Sequence, residues 1–278
     1  MVRATGRDFV PRYGPWALVA GASEGIGAAF AHAIASRGLP VALVSRRRQP
    51  LESLAASITR AHGVETLVIS GDLATPGVVG EIADALGQRE IGLLVANAAY
   101  SPIGRFVDSP LDEQERALAV NVIAPLALAH RFGAAMARRG RGGIVLMSSL
   151  TAFQGTAMIA TYAATKAFNL VLAEGLWDEL RDHGVDVLGC IAGATATPGY
   201  LTTTPLRPSR FSPPAMDPRA VAEEALVRLG TTPSMVMGRA NRAVSLFMAR
   251  LLSRKRAVTM IGRATRRLYE HPLVEKGR

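Results

Sequence analysis

Tyr162 and Lys166, in the stretch Tyr162-Ala163-Ala164-Thr165-Lys166, have the types and the spacing for proton transfer. Four residues apart on a helix, a phenol and an ammonium share one face. A free tyrosine ionises at about pH 10, and a neighbouring cation favours the phenolate, bringing the group nearer a working pH. By themselves such pairs are common, and an ordinary helix face would look the same. What surrounds the pair decides its meaning.

A second candidate lies near the start of the chain, at Gly21-Ala22-Ser23-Glu24-Gly25-Ile26-Gly27. Gly21 lets the chain turn sharply, Gly25 removes a side chain where backbone must approach a ligand, and Gly27 lets a helix pack closely on a strand. The helix that follows presents free N–H groups and the positive end of its dipole to a phosphate. Three glycines alone also fit a plain strand–helix turn. The next strand adds a charge code, Ser45-Arg46-Arg47-Arg48, where a site for NAD would carry an acid for the ribose 2′-hydroxyl. A guanidinium fork matches a 2′-phosphate that a carboxylate would repel. Ser45 and Arg46 are therefore expected on that phosphate, and at least one of Arg47 and Arg48 is expected to be ordinary solvated charge. The cofactor expected is NADP(H). An oxidised nicotinamide ring would favour the Tyr162 phenolate further, and Lys166 has donors enough to hold the nicotinamide ribose.

These residues need elements to position them. Short apolar runs at Trp16–Ala20, Val41–Ser45, Glu65–Ser70, Ile91–Ala96, Gly143–Met147 and Asp186–Ile191, with a weaker one at Ser234–Met237, read as strands. Being apolar on both faces, they suit a parallel sheet covered on each side. Helical patterns alternate with them at Gly25–Arg37, Gln49–Arg60, Val78–Leu86, Leu111–Arg138 and Met158–Asp182. The order predicts an α/β fold, a doubly wound parallel sheet of about seven strands with helices on both faces. In such sheets ligands bind beyond the carboxyl ends of the strands. Tyr200 to Pro218 carries five prolines and reads as a long functional loop. Neither an internal repeat nor a second domain is evident, so residues 1–278 are expected to form a single domain.

With these features in order, the chain resembles the short-chain dehydrogenase/reductase family over roughly Pro15 to Met237, most of its length. The resemblance implies a Rossmann fold and a Ser-Tyr-Lys core with a supporting Asn. It assigns Gly21, Gly25 and Gly27 to the cofactor loop, with Ser23, Glu24 and Ile26 between them. Asp72, before Leu73, would hold the adenine amino group, and Asn97, before Ala98, would stabilise the sheet near the cofactor. Asn121 would support a proton-relay water, Ser149 would hold the substrate carbonyl, and Thr197, in Gly193-Ala194-Thr195-Ala196-Thr197, would contact the carboxamide. Tyr162 would protonate the carbonyl and Lys166 would lower its pKa. The sequence departs from the family pattern at Ala20, Ala99 and Ala192, where the usual residues are Thr, Gly and Pro; the last leaves the loop path to Thr197 open. Homodimers or homotetramers are also implied.

The reaction expected is hydride transfer between nicotinamide and a carbonyl or secondary alcohol on a hydrophobic ketone, steroid-like or ketoacyl substrate. Leu201, Leu206, Phe211 and Met216, and across from them Tyr100, Ile103 and Phe106, are candidates to line the pocket, with Phe153 and Met158 between Ser149 and Tyr162. Arg207 and Arg210 read as solvated charge or as a grip on a substrate anion. A non-catalytic NADP(H)-binding redox sensor, or an epimerase or dehydratase on the same fold, is the alternative.

Composition bounds the rest. Of the net charge of +10, the segment from Gly238 to Arg278 supplies +9, through eleven Lys/Arg against Glu270 and Glu275. Val244, Phe247, Met248, Leu251 and Leu252 fall there at helical spacing. The segment reads as a helix packed on the body or on a second subunit, or alternatively as peripheral contact with an anionic membrane. It lacks interleaved stacking aromatics, so nucleic acid is not expected. The single Cys190 lies in an apolar run and the five histidines are scattered, so no metal is expected and a reducing cytoplasm fits. No secretory signal or uninterrupted spanning stretch is visible.

Overall fold

The computed structural model describes residues 8–203 and 214–269. A short helix α1 (Phe9–Tyr13) precedes β1 (Trp16–Ala20), and α2 (Gly25–Ala35) leads to β2 (Val41–Ser45). Helix α3 (Arg48–His62), β3 (Thr66–Ser70), α4 (Val78–Leu86) and β4 (Ile91–Ala96) complete the first half. In the second half α5 (Leu111–Leu118) passes through a π turn at Ala119–Ile123 into α6 (Ala124–Arg139). Then come β5 (Gly142–Ser149), α7 (Ala160–Leu180), β6 (Val185–Ala192), α8 (Pro198–Thr203), α9 (Pro218–Arg228), β7 (Ser234–Val236), α10 (Arg239–Leu251) and α11 (Arg254–Tyr269).

All seven strands lie parallel in one sheet in the order β3-β2-β1-β4-β5-β6-β7. The order reverses between β1 and β4, and a crevice opens there beyond their carboxyl ends. Strand side chains alternate between faces, so Ala17 and Val19 pack into one core while Leu18 and Ala20 pack into the other. Covered on both faces, β1, β4 and β6 are buried at every position, as their unbroken apolar runs require.

The Pro-rich stretch is not wholly a loop. Helix α8 carries the chain through Tyr200 to Thr203, and α9 starts at Pro218 with the Asp217 carboxylate accepting from the Arg219 N–H at 2.8 Å. Proline is well placed at a first helical position, where its missing N–H costs nothing. The continuous helix Leu111–Arg139 has the length and hydropathy to cross a membrane, yet half of its most apolar window is buried inside the fold, as in a sheet-covering core helix. Thirty residues apart, His32 and His62 meet at 3.2 Å where α2 passes α3. The N-terminal helix is tied down by buried Asp186 on β6, which accepts from Arg12 at 2.5 and 2.6 Å and from the Tyr13 hydroxyl at 2.7 Å.

Candidate active site

The glycine loop leaves β1 with Gly21 at φ +86°, in the left-handed region that glycine tolerates. A Cβ on Gly21 would stand 2.5 Å from the Ala98 backbone, and one on Gly27 would stand 2.0 Å from the Gly21 carbonyl oxygen. Asn97 locks the turn by donating to that oxygen at 2.8 Å. Gly25, at φ +59°, faces the Thr197 side chain, which a Cβ would meet at 2.8 Å. The bare start of α2 is thus held between the ends of β4 and β6, with its N–H groups facing the crevice.

The arginines after β2 divide. Arg48 belongs to α3 and pairs with Glu52 one turn on at 3.1 Å, the solvated charge expected of one of them. Arg47 reaches back to Glu24 at 2.5 Å and Ser23 at 3.3 Å, so it braces the glycine loop as well as lining the crevice. Arg46 lines the crevice beside Ser45, and among the described residues it forms no ion pair. Asp72 accepts from the Ala74 N–H at 3.0 Å and from Arg116 at 2.6 Å. Burial works to raise the Asp72 pKa, but the Ala74 N–H and the Arg116 guanidinium outweigh it and hold the carboxyl below its usual range. Arg116, on α5, was not legible as a site residue. Its sequence neighbours read only as an amphipathic helix, and the partner that draws it inward lies 44 positions away.

Ser149 ends β5, and its hydroxyl caps the following turn by accepting from the Thr151 N–H at 3.3 Å. Tyr162 and Lys166 share a face of α7, with the ammonium 5.6 Å from the phenol ring centre. Lys166 is 3% exposed and donates to the Met147 carbonyl at 3.1 Å. Burial lowers its pKa to about 8. Burial likewise pushes Tyr162 up to about 12; a hydrogen bond with Ser149 opposes this and the nearby Tyr269 adds to it. The shift runs against the expected lowering of the phenol by Lys166, because burial dominates it. Both groups are withdrawn from water, which disfavours phenolate and ammonium alike.

Asn121 sits in the π turn between α5 and α6, fully buried behind the crevice wall. Its side chain accepts from the Tyr100 N–H at 2.7 Å and donates to the Tyr100 carbonyl at 2.7 Å and the Thr165 hydroxyl at 3.1 Å. Its own carbonyl receives Asn169 at 3.0 Å. The side chain expected to support a relay water thus holds the loop after β4 onto α7. Local widening of a helix at such a position is a frequent mark of functional sites.

One cavity of about 830 Å³ joins these groups. It holds every expected cofactor residue except Gly27, which lies beneath as packing: Gly21, Ser23, Glu24, Gly25, Ile26, Ser45, Arg46, Arg47, Asp72, Leu73, Asn97, Ala98, Tyr162, Lys166, Gly193, Thr195 and Thr197. Ser149 is in the same wall and Asn121 is not. The missing proline at Ala192 does not derail the loop, because Thr195 and Met216 form a short parallel bridge that fixes it. Of the expected substrate residues, Tyr100 and Ile103 line the cavity, whereas Phe106 and Met158 border a smaller one with Arg266, and Leu201 points outward at 56% exposure. Leu206, Arg207, Arg210 and Phe211 fall outside the described residues. Tyr200 and Tyr269, neither expected, join the wall. Among the described residues no cluster of three or more His, Cys, Asp or Glu could hold a metal.

Residues 15–204 match the family described as short chain dehydrogenase. A 7beta-hydroxysteroid dehydrogenase of Collinsella aerofaciens is 33% identical over 233 residues, 83% of this chain and 89% of the relative. A solved structure from a study of 7beta-hydroxysteroid dehydrogenase stereoselectivity superposes with a TM-score of 0.87 at 30% identity, covering 91% of this chain and 99% of the other. A short-chain dehydrogenase from Sphingobium yanoikuyae in complex with NADPH superposes with a TM-score of 0.73 at 31% identity, covering 85% and 93%.

Proposed function

The chain belongs to the short chain dehydrogenase family of oxidoreductases acting on CH–OH and C=O groups, and from that premise we propose that it is an NADPH-dependent reductase of a hydrophobic ketone. The observation that carries this reading is the meeting of Ser149, Tyr162 and Lys166 with a glycine cradle in one cavity. The cradle fits a dinucleotide, because Gly21 and Gly25, at positive φ and packed on Ala98 and Thr197, set the start of α2 at the edge of the cavity, and Arg46 with Ser45 suits a 2′-phosphate. The NADPH complex of the Sphingobium yanoikuyae relative supports the same preference. When bound, the reduced cofactor supplies a hydride to the carbonyl carbon. Ser149 orients and polarises the carbonyl oxygen through its hydroxyl, and Tyr162 gives that oxygen its proton. Lys166, which burial brings down to about 8 so that it still carries its proton at neutral pH, would restore the proton to the Tyr162 side of the site. The Asp72 carboxylate, held by Arg116 and the Ala74 N–H, keeps lone pairs on both oxygens that could accept from the adenine amine.

The name of the Collinsella aerofaciens relative points to polycyclic substrates, and the cavity is large enough for a bulky apolar body beside a cofactor. The test is loss of reduced-cofactor absorbance with NADPH and with NADH against hydrophobic ketones, 3-ketoacyl esters and ketosteroids. Turnover preferring NADPH is the expected result; tight NADPH binding with no turnover of any class would favour the redox-sensor alternative.

We further place the protein in the cytoplasm as a homo-oligomer, which the exposed Leu118, Ile123, Leu126 and Val171 on the α5–α7 side support. The outward-facing Leu246, Phe247 and Leu251 of α10 beside Arg250 and Lys255 support peripheral contact with an anionic bilayer. Flotation of the full chain with anionic but not neutral liposomes is the outcome expected of that contact, and no flotation removes it.

A further inference from the structure

Helix α11 lies against the segment that joins Ser149 to Tyr162. Arg254 donates to the Phe153 carbonyl at 2.6 Å, and the Thr265 and Thr156 hydroxyls meet at 3.0 Å. Between these points Gly262 is buried against Ala157, close enough that a Cβ there would touch the Ala157 methyl at 3.7 Å. The helix is therefore pinned along its length to the segment that carries the chemistry. The pins place its last residue, half-buried Tyr269, in the wall of the cavity that contains Ser149, Tyr162 and Lys166. Tyr269 is near enough for its charge to act on the Tyr162 phenol. It comes in at the reacting end, from the side of the Ser149–Tyr162 segment, whereas Arg46 and Asp72 mark the far end where the cofactor's adenosine would lie.

We infer that α11 forms a wall of the substrate site and that Tyr269 is a specificity-determining residue touching the body of the carbonyl substrate. The inference rests on the reductase reading above. The proton transfer as derived makes no use of this second phenol, since Ser149 already meets Tyr162. A half-buried tyrosine offers an apolar ring with a polar tip, which suits a broad ring system or chain carrying an oxygen substituent. A ketone too small to reach α11 has no contact to lose there; a bulky one does.

Tyr269→Ala and Tyr269→Phe are compared with the parent protein in initial rates with NADPH on cyclohexanone and on a ketosteroid. For Tyr269→Ala the expected result is a fall of at least about tenfold in kcat/KM on the ketosteroid, carried by KM, with cyclohexanone changed by less than about threefold. Tyr269→Phe keeps most of the ketosteroid rate, because it keeps the ring. Unchanged NADPH affinity and melting temperature show that neither variant has lost its fold. A ketosteroid-to-cyclohexanone ratio that stays within about twofold of the parent value in Tyr269→Ala overturns the inference. If the parent protein reduces neither of these nor any ketone of the wider panel, the reductase reading fails separately. Equilibrium binding of the ketosteroid to the protein saturated with NADP+ then decides: binding about tenfold weaker in Tyr269→Ala supports the wall. Equal binding in both proteins, or none in the parent, removes it.

Discussion

At the scale of single residues, Tyr162 and Arg46 carry the sharpest expectations. Tyr162→Phe keeps the ring and its packing but removes the phenolic proton that hydrogen-bonds with the Ser149 hydroxyl. It is expected to abolish turnover while NADPH binding, followed by fluorescence titration, changes less than about threefold. Substantial reductase activity in that variant would mean another group donates the proton. Arg46→Ala removes a guanidinium that lines the crevice after β2 and has no ion pair among the described residues, and charge-assisted bonds of this kind contribute about 1.5–3 kcal/mol. NADPH affinity is expected to fall about tenfold to a hundredfold with NADH nearly unchanged; equal losses for both would place the 2′-phosphate elsewhere. Residue identities were readable wherever a short motif fixes them, as with Gly21, Asn97 and Tyr162. They were not readable where a partner comes from a distant element: nothing near Arg116 announces Asp72, and nothing near Glu24 announces Arg47.

Among the elements, the strands were the most legible, because a strand buried on both faces has to be an unbroken apolar run; Trp16–Ala20, Val41–Ser45 and Ile91–Ala96 stand where the sequence puts them. Helix ends were less so. The π turn at Ala119–Ile123 leaves no trace in hydropathy, since it alters hydrogen bonding and not the pattern of buried positions. Helix α9 was hidden because Pro218, counted with the loop, in fact stands at its start, and α8 runs into the stretch from Pro198. The tightest junction between elements is Gly27, where α2 crosses the turn out of β1. In Gly27→Ala the new methyl would overlap the Gly21 carbonyl, and overpacking of a well-filled site costs about 1–3 kcal/mol or more. Urea unfolding is expected to show that loss together with weakened NADPH binding, and an unchanged midpoint would mean that α2 can shift away without penalty.

For the whole molecule, burial of the reacting groups links stability to pH. The Lys166 pKa stands at about 8 in the fold against 10.5 ordinarily. Between those values the unfolded chain binds a proton that the folded chain does not, so stability rises with pH there, by up to ~1.4 kcal/mol per pH unit. Tyr162, at about 12 against 10.0, acts in reverse: above pH 10 the fold keeps a proton the unfolded chain has lost, and stability falls. Denaturation midpoints of the parent protein are expected to climb from pH 8 toward pH 9, above which the buried Cys190 thiol, pushed up to about 12 from 9.0, offsets the gain, and Lys166→Met to climb less. Parallel curves for the two would show that Lys166 is not withdrawn from water as described. The topology as a whole was legible from strict strand–helix alternation, which leaves few ways to wind a parallel sheet. The approach of α11 to the site was not, because amphipathic spacing does not tell what a helix packs upon: the apolar Leu246, Phe247 and Leu251 of α10 face outward, while Tyr269 of α11 reaches the cavity.

The pins between α11 and the catalytic segment join residues 101 and 109 positions apart. Contacts of such long span form late, since the chain between must first be ordered. The Gly21 turn, by contrast, is locked by Asn97 and packed on Ala98 within the first half of the chain. The wall inferred for the substrate thus rests on contacts closed over a far longer stretch of chain than the Gly21 turn, and loop-closure entropy weighs more heavily on it.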